Sequence, residues 1–216
     1  MFKAFIFDMD GVIIDSEPLH FRVDEQVITS FGVAIAKEQL EEFVGMTNPA
    51  MWALLKERYG MSQTIEEMIA IQLEMKLAYL LHSDEQPIAG IRELIADLHS
   101  KGMKIGLASS SPRSFIEAVL SKFNLTSYFD CMISGEEVEH GKPAPDIYIK
   151  AAEMLGIDAR ECVVLEDSKH GLTAAHAAGM TCIGFRNLNS GNQDLSQADH
   201  IVNAISEIDY SLINRL

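Results

Sequence analysis

The chain has 216 residues, with 32 acidic and 17 basic side chains, so its formal net charge is −15. This charge disfavours binding to nucleic acid or to an anionic membrane surface, because both repel a strongly acidic protein. The length suffices for one large domain, or for a core domain with a smaller insertion, around a substantial apolar core.

The N-terminal segment is a predicted buried strand that ends in two carboxylates. Apolar residues Phe5–Phe7 lead directly into Asp8 and Asp10. Because strand side chains alternate between faces, both carboxylates are expected to point the same way at the carboxyl edge of the sheet, where open α/β sheets bind ligands. Two like charges held together in a cleft require a cation, a shared proton or a substrate. The alternative interpretation of Asp8 and Asp10 is an ordinary acidic turn.

Residues 15–85 lack a convincing buried strand and carry only helical patterns. Apolar residues recur there at helical spacing in two stripes: Leu19, Val23, Val27 and Phe31, then Ile65, Ile69, Leu73, Leu77 and Leu81. We therefore predict an inserted helical cap domain over residues 15–85 and a core domain made of residues 1–14 and 86–216. Because the insertion directly follows the first strand, it is expected to act as a lid that excludes water and selects the substrate.

Helical patterns and apolar strands alternate through the rest of the chain. Glycines follow three of the helical segments, as expected at helix ends, and an apolar run follows each: Met103–Ala108, Cys162–Leu165 and Met180–Gly184. Strands of continuous apolar character indicate a parallel sheet covered on both faces. The predicted fold class is therefore doubly wound α/β, and the polar stretch Asn187–Gln197 is predicted to be a surface loop.

Three serines stand where a strand gives way to a helix. Ser109, Ser110 and Ser111 precede a proline, which is common at the first position of a helix. Hydroxyl and backbone N–H groups at a helix start can hold a phosphate, although simple capping would also explain these residues. We expect Ser109 and Ser110 to bind phosphate and Ser111 to cap the helix.

A lysine and a second acidic pair follow later strands. Lys142 lies between a glycine and a proline in a rigid loop, which suggests a point charge held against a phosphate and a carboxylate, although a lone lysine is usually solvated. Glu166 and Asp167 end another apolar strand. Asp167 could merely cap the next helix, but with Asp8 and Asp10 it supplies the hard oxygen ligands that Mg²⁺ prefers.

These motifs, in this order on successive strand ends, resemble the haloacid dehalogenase superfamily over essentially the whole chain. The resemblance implies a Rossmann-like core of five or six strands with a mobile helical cap. It also implies phosphoryl transfer through an aspartyl-phosphate, with Asp8 as the nucleophile. Asp10 would be the general acid and base, and its backbone carbonyl would contact the metal.

The same resemblance implies roles for the later motifs. Ser109 and Lys142 would hold the transferring phosphoryl group, and Asp167, together with Glu166, would complete the Mg²⁺ site. Haloacid dehalogenases proper and phosphonatases lack an aspartate at the position of Asp10. Phosphate esters are therefore the favoured substrates.

Two segments look like the subgroup that contains β-phosphoglucomutase and small sugar-phosphate phosphatases: Ser16–Arg22 and Lys142–Asp146. In the mutase, His20 would help to position the acid/base and the sugar; a polar cap histidine without a role is the alternative. The mutase also resembles this chain around Val44–Asn48. Its cap has an arginine for the second phosphate of a bisphosphate, whereas the best-matching residue here is Asn48, which is uncharged.

We therefore predict a phosphatase that acts on a small phosphorylated metabolite, with Asn48 and His20 as candidate substrate contacts. A β-phosphoglucomutase-type mutase is the runner-up, in which Lys56, Arg58 or Lys76 would replace the missing arginine. A non-catalytic phosphate-binding protein is a further alternative. A monomer is expected, without a nucleic-acid or membrane partner.

The cysteines and the N-terminal segment predict the cellular compartment of the protein. The cysteines stand singly in apolar runs without metal-ligand spacing, so they are expected to be buried free thiols: Cys131, Cys162 and Cys182. The apolar run at the N-terminus is too short for a secretory signal or a spanning helix. A cytoplasmic location is therefore predicted.

Overall fold

The computed structural model describes residues 1–43 and 48–216. The chain divides into two compact units. The first, here the α/β unit, comprises Met1–Asp15 and Glu85–Leu216; the second, here the helical unit, comprises Ser16–Asp84. We propose that they are the core and cap domains.

A parallel six-stranded sheet forms the centre of the α/β unit. Its strands are β1 (Ala4–Phe7), β2 (Lys104–Ser109), β3 (Cys131–Ser134), β4 (Cys162–Glu166), β5 (Thr181–Phe185) and β6 (His200–Val202). Their spatial order is β3-β2-β1-β4-β5-β6, so the chain reverses its direction of winding between β1 and β4. Every residue of β1 and β4 is buried, as expected for central strands covered on both faces. The predicted doubly wound fold is confirmed.

Helices make up the regular structure of the described part of the helical unit. They are α1 (Glu17–Ser30), α2 (Lys37–Leu40), α3 (Asn48–Tyr59) and α4 (Ile65–His82), with a short 3₁₀ turn after α2. Helix α4 begins with a capping box in which Thr64 accepts from the Glu67 amide and the Glu67 side chain accepts from the Thr64 amide. Trp52 is fully buried within this unit.

The apolar stripe of α4 lies on a helix, as predicted, but it is only partly buried. Its last member, Leu81, is 71% exposed and the other four are half-buried, whereas the buried residues are Met68, Gln72, Lys76 and Leu80. The Gln72 amide can be buried because it accepts from Trp52 Nε1 at 3.2 Å and donates to Asp24 Oδ1 at 2.5 Å. A polar side chain therefore contributes to the buried side of this helix.

The α/β unit also contains α5 (Ile91–Ser100), α6 (Arg113–Lys122), α7 (Asp146–Leu155), α8 (Lys169–Ala177) and α9 (Tyr210–Ile213). The three cysteines are free and buried, as predicted. The predicted surface loop Asn187–Gln197 is only partly at the surface, because Ser190 and Leu195 are buried. Among the described residues, no helix is both long enough and apolar enough to span a membrane.

Candidate active site

The central strand pair brings two carboxylates to the carboxyl edge of the sheet. Phe7 of β1 is aligned with Leu165 of β4, and the Asp8 amide continues this pairing by donating to the Leu165 carbonyl at 3.0 Å. Asp8 and Glu166 are the residues that follow Phe7 and Leu165, so they lie side by side at the carboxyl edge of the sheet. The gap between β1 and β4 is the topological switch point, where doubly wound sheets bind their ligands.

Lys142 bridges these two carboxylates. Its Nζ lies 2.6 Å from Asp8 Oδ1 and 2.7 Å from Glu166 Oε1, and it donates to the Ala108 carbonyl at 3.1 Å. The side chain is only 7% exposed, so it is not a solvated lysine. Burial acts to lower the pKa of Lys142, but the charges of Asp8 and Glu166 outweigh burial and raise it, so the ammonium stays charged.

Glu166 is the second carboxylate that contacts the Lys142 ammonium. Its Oε1 also accepts from the Tyr148 hydroxyl at 2.9 Å, and its Oε2 accepts from the Asp167 and Ser168 amides and from the Ser168 hydroxyl. Burial acts to raise the pKa of Glu166, but Lys142 and these hydrogen bonds together lower it. Both Glu166 oxygens are thus engaged, and we propose that this residue orients Lys142 more than it ligates a metal.

Tyr148 completes this cluster and was not among the sequence candidates. It is fully buried, and its ring lies 4.9 Å from the Lys142 ammonium. Burial raises the pKa of Tyr148, and the charge of Glu166 adds to this effect, so the hydroxyl keeps its proton and can donate it. The sequence offered one signal for Tyr148: it lies on the helix that begins just after the loop with Lys142.

The Glu166 carboxylate packs against the backbone of Gly171 in the first turn of α8. A Cβ atom at position 171 would lie 1.7 Å from Glu166 Oε1. Gly171→Ala must therefore displace this carboxylate from Lys142 and Tyr148. Alanine gains about 1 kcal/mol over glycine in a helix, but breaking a buried ion pair costs about 3–5 kcal/mol. We expect a net loss of about 2 kcal/mol or more in the free energy of unfolding, measured by urea denaturation.

Gly141→Ala is the matched control for this prediction. A Cβ atom at position 141 meets no atom within 4 Å, so the same methyl group is added in open space. We expect its free energy of unfolding to stay close to that of the wild type. A Gly171→Ala variant that is as stable as Gly141→Ala would contradict the packing of Glu166 against the α8 backbone.

Three acidic side chains form a buried cluster around this point. Oxygens of Asp8, Glu166 and Asp167 all lie within 4.8 Å of one another. Burial raises the pKa of Asp8 well above its ordinary value, and burial raises the pKa of Asp167 to about 7, in both cases with help from neighbouring carboxylates. When all three carboxylates are ionised, they and the Lys142 ammonium together carry an excess of two negative charges. Hard oxygen donors with excess negative charge fit a divalent cation, so the cluster could bind a metal ion.

Asp10 contacts the serines that follow β2. Its Oδ2 accepts from the Ser109 hydroxyl at 3.2 Å and from the Ser111 hydroxyl at 2.7 Å. The prediction that Ser111 caps α6 is wrong: the N-cap residue is Pro112, no side chain caps the helix, and the Ser111 hydroxyl is committed to Asp10. Ser110 is exposed between the two serines.

The remaining candidates belong to the helical unit, whereas the acidic cluster lies wholly in the α/β unit. His20 is half-buried in α1, and Asn48 is half-buried at the first residue of α3. The residues that precede Asn48 in the mutase-like segment, 44–47, lie outside the described residues. The structure therefore brings Asp8, Lys142, Glu166 and Asp167 together and joins Asp10 to Ser109; Ser110 and the two cap candidates stay proposals.

A doubly wound sheet with an acid–lysine centre at its switch point defines the class: an α/β enzyme suited to anionic ligands and a divalent cation. A family model for haloacid dehalogenase-like hydrolases matches residues 5–185. The chain belongs to the haloacid dehalogenase-like hydrolase family. The resemblance stated from the motifs is thereby confirmed.

Similar proteins agree with this assignment. The chain is 35% identical over 181 residues to hexitol phosphatase B of Escherichia coli, covering 83% of this chain and 82% of the relative. It is 32% identical to a phosphorylated carbohydrates phosphatase of Thermotoga maritima, covering 95% and 99% of the two chains. The crystal structure of β-phosphoglucomutase from Clostridium difficile superposes with a TM-score of 0.83 at 25% identity, covering 100% and 96%.

Proposed function

We propose that this protein is a Mg²⁺-dependent phosphatase that hydrolyses sugar phosphates or similar small monoesters through a phosphate ester of Asp8. The observation that carries the proposal is the Lys142 ammonium, held between Asp8 and Glu166 in a buried acidic cluster. Hexitol phosphatase B and the phosphorylated carbohydrates phosphatase, the two relatives described above, are both named as phosphatases of sugar-type compounds, which supports the substrate class.

In the first step, the Asp8 carboxylate attacks phosphorus and the bond from phosphorus to the sugar oxygen breaks. Asp10 gives its proton to that leaving oxygen. Lys142 favours the ionised form of Asp8, against the burial that raises its pKa, and neutralises charge on the phosphoryl group, which is the main task of a protein in phosphoryl transfer. Ser109 and the Ser110 amide are proposed as further donors to the phosphoryl oxygens.

In the second step, water replaces the sugar oxygen. Asp10 takes a proton from this water, the water oxygen attacks phosphorus, and the bond to Asp8 breaks, which releases inorganic phosphate. The Ser111 hydroxyl, 2.7 Å from Asp10 Oδ2, holds the Asp10 carboxylate in place for both proton transfers, which leaves the Ser109 hydroxyl to turn to the phosphoryl group. The same residue thus serves as acid and then as base.

Mg²⁺ is the proposed metal, because this ion prefers hard oxygen ligands. Asp8, Asp167 and the Asp10 carbonyl would hold it, with Glu166 beside them. When bound, the ion supplies positive charge that neutralises both the carboxylate cluster and the phosphoryl oxygens.

The charges of the helical unit support hydrolysis over the mutase. The Lys56 ammonium donates to the carbonyls of Met61 and Gln63, the first at 3.1 Å. Arg58 Nη1 lies 3.0 Å from Glu42 Oε2. Both side chains are engaged inside their own unit, which disfavours them as the clamp for a second phosphate. The likeness to a β-phosphoglucomutase structure keeps the mutase as the second candidate.

The proposal includes a monomeric protein of the cytoplasm. Three buried free thiols without a disulfide partner fit a reducing compartment. Size-exclusion chromatography with light scattering tests the monomer directly.

An activity panel separates the candidate functions. Purified protein is incubated with hexose and hexitol 1- and 6-phosphates, with Mg²⁺ or with a chelator, and both inorganic phosphate and sugar-phosphate isomers are measured. Mg²⁺-dependent phosphate release supports the phosphatase. Interconversion of hexose 1- and 6-phosphates with little phosphate release would establish the mutase, and an inert protein that still binds phosphate would establish the non-catalytic alternative.

A further inference from the structure

The loop after β5 returns to the acidic cluster. Its first part, residues 187–191, is here named the β5 arm. The Asn187 side-chain amide donates to the Gly11 carbonyl at 3.0 Å, and the Asn189 side-chain amide donates to the Asp15 carboxylate. These two contacts fasten the β5 arm to the segment that follows β1 and carries Asp8 and Asp10.

The β5 arm also has a hydrogen bond within itself, and Gln193 joins it to the start of α8. The Asn189 backbone amide donates to Asn187 Oδ1 at 2.9 Å, which closes a local turn. The Gln193 side chain donates to the Ser190 carbonyl at 3.1 Å and accepts from the Lys169 amide, at the start of α8, at 3.3 Å. The arm is therefore held between the segment after β1 and the segment that carries Asp167.

Ser190 occupies the centre of this arrangement. Its side chain is buried, with 8% of the residue exposed, and its hydroxyl donates to Asp167 Oδ2. The same two groups pack on the bare backbone of Gly11, where φ is +76°: a Cβ atom there would lie 1.9 Å from Asp167 Oδ2 and 2.7 Å from Ser190 Oγ. Three separate chain segments thus converge to set the position of one carboxylate.

We propose that Ser190 is a positioning residue that orients Asp167 for the divalent cation. This inference rests on the proposed function, because it assigns Asp167 as a ligand. The Ser190 hydroxyl engages Oδ2, so Oδ1 is the Asp167 oxygen that we assign to the cation. Partners of this kind restrict the rotation of a ligating carboxylate, and their loss typically weakens metal affinity by about 10–100-fold.

Ser190→Ala tests the proposal through metal binding measured without turnover. Titration calorimetry of the full chain with Mg²⁺ should give a Kd about 10–100-fold higher for Ser190→Ala than for the wild type. The Mg²⁺ concentration for half-maximal activity should rise by the same factor, while kcat at saturating Mg²⁺ changes far less. Ser190→Thr keeps the hydroxyl and should bind Mg²⁺ more tightly than Ser190→Ala.

Ser196→Ala is the matched control, because this serine of the same loop is exposed, whereas Ser190 is buried against Asp167. Equal Mg²⁺ affinity in Ser190→Ala and Ser196→Ala would overturn the proposal, even if Ser190→Ala has a lower Tm. So would a Ser190→Thr variant that binds as weakly as Ser190→Ala. A wild type that binds Mg²⁺ in a Ser190-dependent way but hydrolyses no phosphate ester would overturn the proposed function and leave this inference standing.

Discussion

Asp8→Asn is expected to abolish turnover while leaving the chain folded. The amide is no nucleophile, and loss of a covalent nucleophile typically lowers kcat by about 10⁴-fold or more. The side chain keeps its size, and Lys142 keeps its 2.7 Å contact with Glu166. The measurement is initial phosphate release on the best substrate of the panel, at saturating Mg²⁺, with circular dichroism as a test of folding.

Asp130→Asn is the matched control for Asp8→Asn. Its carboxylate lies at the surface, 2.6 Å from Lys104 Nζ, so the same change of charge is made away from the site. We expect wild-type kcat for this variant. Substantial turnover by Asp8→Asn would remove Asp8 from the nucleophile role and with it the aspartyl-phosphate mechanism.

Asp8→Asn should also change how the free energy of unfolding depends on pH, measured on protein from which a chelator has removed the metal. Because burial raises the pKa of Asp8 above its ordinary value of 3.8, the folded protein binds this proton more tightly than the unfolded chain does. The contribution of Asp8 to the stability of the wild type therefore falls as the pH rises above 3.8, and Asp8→Asn escapes this loss. We expect Asp8→Asn to be the more stable protein at pH 7, with a difference that shrinks towards pH 4.

Lys142→Met should lower both activity and stability. The variant removes the ammonium that pairs with two buried carboxylates but keeps most of the side-chain volume, so no large cavity forms. Leaving buried charges without their partner costs about 3–5 kcal/mol, measured by urea denaturation at pH 7. We also expect a higher KM and a lower kcat, because the ammonium would hold the phosphoryl group in both the ground state and the transition state.

Lys150→Met is the control for Lys142→Met. Lys150 lies in α7 and is 35% exposed; its ammonium lies 3.7 Å from the Glu137 carboxylate and donates to the Glu137 carbonyl at 2.7 Å, so its loss should cost about 1–2 kcal/mol, less than the loss of Lys142. The pH dependence gives a second test. Without the ammonium, Asp8 and Glu166 should take up protons more readily in the folded state, so the stability deficit of Lys142→Met should shrink as the pH falls from 7 to 5. An unchanged deficit, or an unchanged kcat/KM, would return Lys142 to a structural role.

Local chemistry made much of the site predictable. Continuous apolar runs mark the buried strands, and the polar residue that ends each run must emerge at the carboxyl edge of a parallel sheet. Asp8 and Asp167 follow this rule, and the structure brings them together with Lys142, which lies in the loop before α7. Their convergence needed only the order of strands and loops along the chain.

The faces and partners of individual side chains were less predictable. In α4, apolar residues occur around most of the helix, so their spacing could not decide that Gln72 and Lys76 are buried while Leu81 is exposed. Ser111 has the local pattern of a cap, but its hydroxyl reaches Asp10, 101 residues away in the sequence. A hydroxyl that can hydrogen-bond either to a nearby backbone amide or to a distant side chain forms the bond that the folded structure allows.

The amino-acid sequence by itself determined the family, the α/β class and the residues at the strand ends, because these depend on local patterns and short motifs. Only the tertiary structure decided that Tyr148 and Ser190 support the acidic cluster and that the Glu166 carboxylate packs on Gly171. Such contacts join segments that are distant along the chain. Their hydrogen bonds arise because buried charges require partners, and the sequence does not show which side chains will be within reach.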